Sequence, residues 1–269
     1  MVRFCLAAPA AFLMFFLAAA LCFSLAIVNP PSRWMKFRQC PAVHNFMVQA
    51  FADDPLKSKS IHAKVYSFSE VRGMKIGVLA LQGDFDAHRR RLEELGAEVL
   101  FVKKPEQLDE IAGLVIPGGE SGTFLKLLGE AGFEKLKEFV RLKPTFGTCA
   151  GAILLANEVE NPKQAGLGAL NIRIRRNAYG RQIDSSIRQG RILRDLDGKP
   201  SDSPLEMVFI RAPKISQVGE GVEVLATEGT DPVVVRQGRT MAATFHPELS
   251  DDLRVHQLFL KLINDGQQT

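Results

Sequence analysis

At 269 residues and 46% hydrophobic content, the chain is long and apolar enough for one or two domains with a complete core. Its formal charge of +4 is concentrated at the start: residues 1–73 carry eight Lys and Arg against three Asp and Glu, leaving 26 basic and 27 acidic residues in 74–269. That balance argues against nucleic-acid binding, and the four cysteines (Cys5, Cys22, Cys40 and Cys149) make no disulfide framework.

Taken from the start, Phe4 to Val28 is an uncharged stretch dominated by Ala, Leu and Phe, with Arg3 before it and Arg33, Lys36 and Arg38 after it. As a helix rising ~1.5 Å per residue it could span a bilayer core. Residues 29–73 show little periodicity. Residues 1–73 thus read as an N-terminal extension, an apolar segment plus an irregular linker. Three origins stay open for it: a mis-called upstream start, a membrane anchor, or a cleaved targeting segment.

From Met74 the pattern alternates. Strands are expected at Lys75–Leu81, Glu98–Val102, Gly113–Ile116 and Pro144–Gly147, with helices at Phe85–Leu95, Thr123–Leu128 and Phe133–Leu142. The later half is richer in strands: Leu170–Arg175, Met207–Ile210, Val222–Ala226, Val233–Gln237 and Met241–Phe245, before a closing amphipathic helix over Leu253–Ile263. Alternating βα units predict an α/β fold with a mainly parallel central sheet covered by helices on both faces, and reactive loops at the carboxyl ends of the strands. Residues 74–269 are expected to form that domain. The cluster Arg89-Arg90-Arg91 falls on the first helix, as a solvated face or a partner contact.

Three segments carry chemistry. Pro117-Gly118-Gly119-Glu120-Ser121 ends a buried strand, and paired glycines there let backbone amides approach a ligand, as an oxyanion hole requires. Phe146-Gly147-Thr148-Cys149-Ala150-Gly151 has the composition of a nucleophile elbow: a strand, one cysteine, and small residues opening a helix over Gly151–Ala156 whose amides favour the thiolate. Phe245-His246-Pro247-Glu248 supplies a base and an orienting carboxylate. Pro247 biases His246 toward extended backbone, where residues i and i+2 share a face. A Cys149-His246-Glu248 triad is therefore expected.

These three motifs together resemble the class I, triad-type glutamine amidotransferases. The resemblance runs from Met74 to about Asn264. Leu81-Gln82-Gly83, Arg176-Asn177-Ala178-Tyr179-Gly180-Arg181-Gln182 and Phe209-Ile210-Arg211-Ala212-Pro213 narrow it to the glutaminase subunits of pyridoxal 5′-phosphate synthases. One departure is Gly122, where that family often has Thr. The resemblance implies that Cys149 attacks the carboxamide of L-glutamine, that His246 protonates the leaving ammonia, and that the amides of Gly119 and Ala150 stabilise the oxyanion. It also implies that Gly119, Glu120, Ser121, Arg176, Ile210 and Arg211 bind the substrate, that neither cofactor nor metal is needed, and that a synthase subunit receives the ammonia in a hetero-oligomer. The same resemblance implies weak activity for the lone subunit, its Gly118-Gly119 loop awaiting that partner.

Two other classes remain as alternatives: a hydrolase or chaperone of the related cysteine-elbow superfamily, and a glutaminase subunit serving another biosynthetic pathway. A thiol enzyme suits a reducing compartment, and Met74 opens the first strand without a linker. The cytoplasm is therefore the expected location, with membrane association only if the 4–28 segment is genuine.

Overall fold

The computed structural model describes residues 74–176, 178, 185–194 and 198–267. The expected apolar helix over Phe4–Val28 and irregular linker to residue 73 lie outside them, as does most of the Asn177–Gln182 segment.

The sheet is built outward from β1 (Lys75–Leu79), which lies between β2 (Glu98–Val102) and β3 (Gly113–Ile116), parallel to both. β3 pairs with β4 (Thr145–Thr148) and β4 with β12 (Thr240–Ala243), again in parallel. Every residue of β3, β4 and β12 is buried, as continuous apolar or small-residue strands must be when both sheet faces are covered. Four antiparallel strands extend the other edge: β11 (Asp231–Gln237), β10 (Glu223–Glu228), β7 (Ser186–Arg194) and β8 (Pro200–Phe209). The nine-stranded order is β2-β1-β3-β4-β12-β11-β10-β7-β8. A second, three-stranded sheet joins β5 (Ala156–Glu160), β6 (Leu170–Arg175) and β9 (Lys214–Val218).

Side-chain alternation along the central strands sends residues to two cores. Ile76, Val78, Val115, Phe146 and Met241 pack with Leu92 of α1 (Phe85–Glu94) and with Val255, Phe259 and Ile263 of α4 (Arg254–Gln267). On the other face Leu114, Ile116 and Ala242 pack with Phe124, Leu136 and Phe139 of α2 (Ser121–Leu142) and with Ile153 of α3 (Ala150–Leu155). Phe124, Phe146, Phe209, Phe245 and Phe259 are fully buried. Each contributes on the order of 1.5–3 kcal/mol of transfer free energy.

Several elements differ from the sequence expectation. The two helices expected at Thr123–Leu128 and Phe133–Leu142 form one run, α2, broken at Gly129, whose φ of 62° leaves the helical region. β8 is ten residues long instead of the expected four, because pairing with β7 extends it through the polar stretch Pro200–Pro204, which has no apolar signal of its own. β5, β7 and β9 were not anticipated: their charged residues mask the alternation. β12 stops at Ala243, leaving Thr244 to Glu248 free to turn across the end of the sheet.

Candidate active site

The loops following β3, β4 and β12 meet at the carboxyl end of the parallel strands, the usual position for a site in an open α/β sheet. Cys149 sits between β4 and α3 with φ 46° and ψ −101°, a conformation that costs a non-glycine residue about 1–3 kcal/mol. The flanking glycines explain how the turn closes. A Cβ on Gly147 would press into the backbone of Gly151, and a Cβ on Gly151 would overlap the carbonyl oxygen of Ile116. The Cys149 amide donates to the Ala243 carbonyl at 2.9 Å, tying the elbow to the end of β12, and the thiol is free. α3 begins one residue earlier than expected, at Ala150, so the first helical amide directly follows the cysteine.

His246 approaches from the other side. Its amide donates to the carbonyl of Val208 at 2.8 Å, which brings the end of β8 against the end of β12. The His246 Nδ1 lies 2.7 Å from Glu248 Oε1, and both side chains are buried. Their meeting has a different origin from the expected strand alternation. Pro247–Leu249 is a 3-10 turn with Pro247 at its first position, where a missing N–H costs nothing, and the turn folds Glu248 back onto His246. Burial pushes the His246 imidazolium down, but hydrogen bonds with Cys149 and Glu248 outweigh it and lift His246 to about 10. Burial likewise pushes the Glu248 carboxyl up, and the facing imidazoles of His88 and His246 more than offset this, holding it well below 4.5. The pair is thus an imidazolium–carboxylate at neutral pH. The turn is braced by Arg91, whose Nε donates to the Glu248 carbonyl at 3.3 Å while its Nη2 meets Asp251. Arg89 and Arg90 are engaged with Asp86 and Glu93 on the helix surface, so only Arg91 of that basic run reaches the site.

The glycine loop packs directly on these groups: a Cβ on Gly118 would run into the His246 ring and lie 3.5 Å from the Cys149 Cβ. Gly119 has φ 137°, open to glycine. The Gln82 side chain holds this loop from the first βα connection, its Nε2 donating to the Glu120 carbonyl at 2.9 Å and its Oε1 accepting from the Glu120 amide at 3.1 Å. Gly119 and Ala150 therefore sit on the two loops that converge at Cys149.

Glu120, Ser121 and Arg176 come together. Glu120 caps α2 by accepting from the amides of Gly122 and Thr123, and the Thr123 hydroxyl heads the hydrogen bonds that hold its carboxyl below the ordinary value. Arg176 Nη2 lies 3.0 Å from Glu120 Oε1, and its Nη1 donates to Gln164 Oε1 at 2.9 Å. The Ser121 hydroxyl donates to the same Gln164 oxygen, also at 2.9 Å. Ile210 and Arg211 stand apart from this cluster, with no hydrogen bond or ion pair joining them to it among the described residues. Arg211, exposed and at φ 47°, follows β8 just beyond the strand that holds the His246 amide.

Three residues near the site were not singled out by sequence. Gln164 lies in the irregular 161–169 segment, which offers no periodic signal. His88 and His256 had a readable one: each falls on the apolar stripe of its helix, His88 with Leu92 and Leu95, His256 with Phe259, Leu260 and Ile263.

Comparison with known proteins bears on the family and the fold. The model of the SNO glutamine amidotransferase family matches residues 78–265. A relative from Koribacter versatilis, a pyridoxal 5′-phosphate synthase subunit PdxT, is 66% identical over 193 residues, covering 72% of this chain and 97% of the relative. The protein of the same name from Solibacter usitatus is 55% identical, over 69% of this chain and 97% of its own. A crystal structure of a glutamine amidotransferase superposes with a TM-score of 0.63 at 45% identity, covering 70% of this chain and 98% of that one. A structure of PurLQS from Thermotoga maritima, 15% identical with a TM-score of 0.52 over 72% of this chain and 96% of its own, shares the fold. The chain belongs to the SNO glutamine amidotransferase family.

Proposed function

We propose that this chain hydrolyses L-glutamine to L-glutamate and ammonia through Cys149, His246 and Glu248. The ammonia passes to the synthase subunit of a pyridoxal 5′-phosphate synthase, in vitamin B6 biosynthesis. The observation that carries the chemistry is Cys149 on a strained elbow, packed with the His246 ring against the same glycine, Gly118, while Glu248 holds the His246 Nδ1. The acceptor is supported by the names of the Koribacter and Solibacter relatives.

The Cys149 sulfur attacks the carboxamide carbon as the thiolate, its proton already held on His246, and the carbonyl oxygen gains negative charge opposite the amides of Gly119 and Ala150. Collapse of the tetrahedral intermediate breaks the C–N bond as the His246 imidazolium transfers a proton to the departing nitrogen, releasing ammonia and leaving a glutamyl thioester. Neutral His246 then takes a proton from water, whose oxygen attacks the thioester, and glutamate leaves as the sulfur is regenerated. Glu248 keeps the imidazole oriented and stabilises its charged form. Arg176 takes the substrate's α-carboxylate in a two-pronged contact, exchanging Glu120 for it, with Ser121 and Gln164 beside it; Ile210 and Arg211, which stand apart from this cluster, complete the binding set that the family resemblance implies. Residues 74–269 constitute the glutaminase domain, in a cytoplasmic setting that keeps the thiol reduced.

The test is ammonia release from glutamine by the full chain with its synthase subunit, set against Cys149→Ala. Release by the first and none by the second is expected; equal release from both would remove the reading.

A further inference from the structure

Behind Glu248 lies a second buried constellation with no part in the steps above. His88 on α1 and His256 on α4 are both fully buried, with His88 Nδ1 3.0 Å from His256 Nε2. The other nitrogen of His88, Nε2, lies 3.0 Å from the Thr148 hydroxyl and 3.3 Å from Glu248 Oε2. That carboxylate oxygen is buried, and no hydrogen bond of good geometry reaches it among the described residues; the His88 nitrogen stands at its edge. The ring of Phe146 closes the chamber, edge-on to both imidazoles.

Satisfying these groups selects one arrangement of protons. A carboxylate only accepts, so a bare His88 Nε2 would set lone pair against lone pair at Oε2. With the proton on Nε2, His88 donates toward Glu248 and Thr148, and its bare Nδ1 accepts from His256 Nε2–H. His256 Nδ1, buried without a partner among the described residues, then carries no proton, which is the cheaper way to leave it. The opposite arrangement strands an N–H in the core as well. Burial favours neutral rings in both residues; the cations His246, beside His88, and Arg91, beside His256, act in the same direction, and the carboxylates of Glu248 and Asp84 oppose it.

From this geometry, and resting on the glutaminase reading, we infer that His88, set in its tautomer by His256, is a positioning residue that fixes Glu248 by its second oxygen so that the first stays on His246. The nucleophile, base, orienting carboxylate and two further imidazoles then form one line from Cys149 to α4.

Two amide substitutions separate positioning from packing. A glutamine amide spaces its oxygen and nitrogen much as the two imidazole nitrogens are spaced and reaches as far as Nε2; an asparagine amide is one bond shorter. In the full chain with its synthase subunit, His88→Gln should keep kcat within about threefold of the parent, and His88→Asn should lower it by about ten- to a hundredfold, the worth of a hydrogen bond to a charged group. KM for glutamine should change little in either, since Arg176 is untouched. Adding His88→Asn to Glu248→Gln should cost less than it does in the parent, because its effect runs through that carboxylate. Equal losses in the Gln and Asn variants, or an undiminished cost in the Glu248→Gln background, would overturn the inference. If Cys149→Ala is inactive and Glu248→Gln is slow, such a result counts against His88 alone. If Glu248→Gln turns over normally, the triad itself is wrong and His88 falls with it.

Discussion

Cys149 accepts backbone strain and His246 accepts burial as an imidazolium, and each is sustained by its neighbours. Removing one should therefore show at the step it serves. Cys149→Ala should abolish glutamine hydrolysis with the fold intact, because the sulfur forms the covalent bond. His246→Ala should lower kcat by on the order of 10²–10⁴, the usual worth of a positioned proton donor, and Glu248→Gln by less, as it keeps a hydrogen-bonding group of the same size. Steady-state ammonia release with thermal unfolding as the fold control checks all three. The buried histidines also set a pH dependence for stability. Burial lowers His256 from 6.5 to about 3, so its neutral form stabilises the fold fully above about pH 6.5, and that stabilisation is lost as pH falls toward 3. His88 is shifted the same way by burial. His246, raised to about 10, acts in the opposite sense: its contribution is complete below about pH 6.5 and is lost as pH rises through 10. Below pH 6.5 the His246 gain levels off while the His256 loss grows, by about 2 kcal/mol between pH 6 and pH 4.5. Thermal midpoints should therefore drop over that interval, and His256→Gln, which keeps a donor toward His88, should flatten the drop. An unchanged slope in that variant would mean His256 is not the group responsible.

Among the elements, the loops after β3, β4 and β12 were the most legible in sequence and the antiparallel edge the least. Gly147 and Gly151 flank a cysteine for a steric reason visible in the residue types alone, and Gly113–Ile116 is apolar throughout because both faces of β3 are covered. β7 and β8 carry Arg188, Gln189, Arg191, Ser201, Asp202 and Ser203 on a half-exposed edge, so their strand character comes from each other and not from local pattern. The Pro247 turn shows a partial success: residue types predicted that His246 and Glu248 would meet, but the backbone achieves it by a 3-10 turn because Pro247 starts one more easily than it continues a strand. Gln164 lies in a segment without a periodic signal; the apolar stripes of α1 and α4 mark His88 and His256 as buried, but their meeting joins distant segments, which no local signal encodes. The elbow yields a test at this scale. Gly151→Ala would force a methyl group into the Ile116 carbonyl, so it should destabilise the domain by about 1–3 kcal/mol and depress activity by displacing Cys149, as read from unfolding midpoints and ammonia release. A fully active, fully stable Gly151→Ala protein would show that β3 and α3 are not held as closely as described.

For the whole molecule, the relatives from Koribacter and Solibacter are matched over 97% of their own length by about 70% of this chain. Residues 74–269, produced alone, should therefore hydrolyse glutamine at the rate of the full chain when the synthase subunit is supplied; a truncated protein that fails to couple would assign a function to residues 1–73. Without that partner, the full chain should turn over slowly. In the structure Arg176 is engaged by Glu120 and Gln164, and the Gly118-Gly119 loop is held by Gln82, so glutamine binding as proposed requires contacts to be exchanged. Titrating in the synthase subunit should raise the glutaminase rate to saturation, and a rate independent of it would rule out gating while leaving the chemistry in place. The most direct test of the account is to catch the covalent intermediate. The full chain with its synthase subunit would be mixed with glutamine, quenched in acid within a turnover, digested and analysed by mass spectrometry. A glutamyl thioester on the peptide carrying Cys149, absent from Cys149→Ala, is the predicted result; glutamine turnover that persists in Cys149→Ala, with no adduct on Cys149 in the parent, would contradict it.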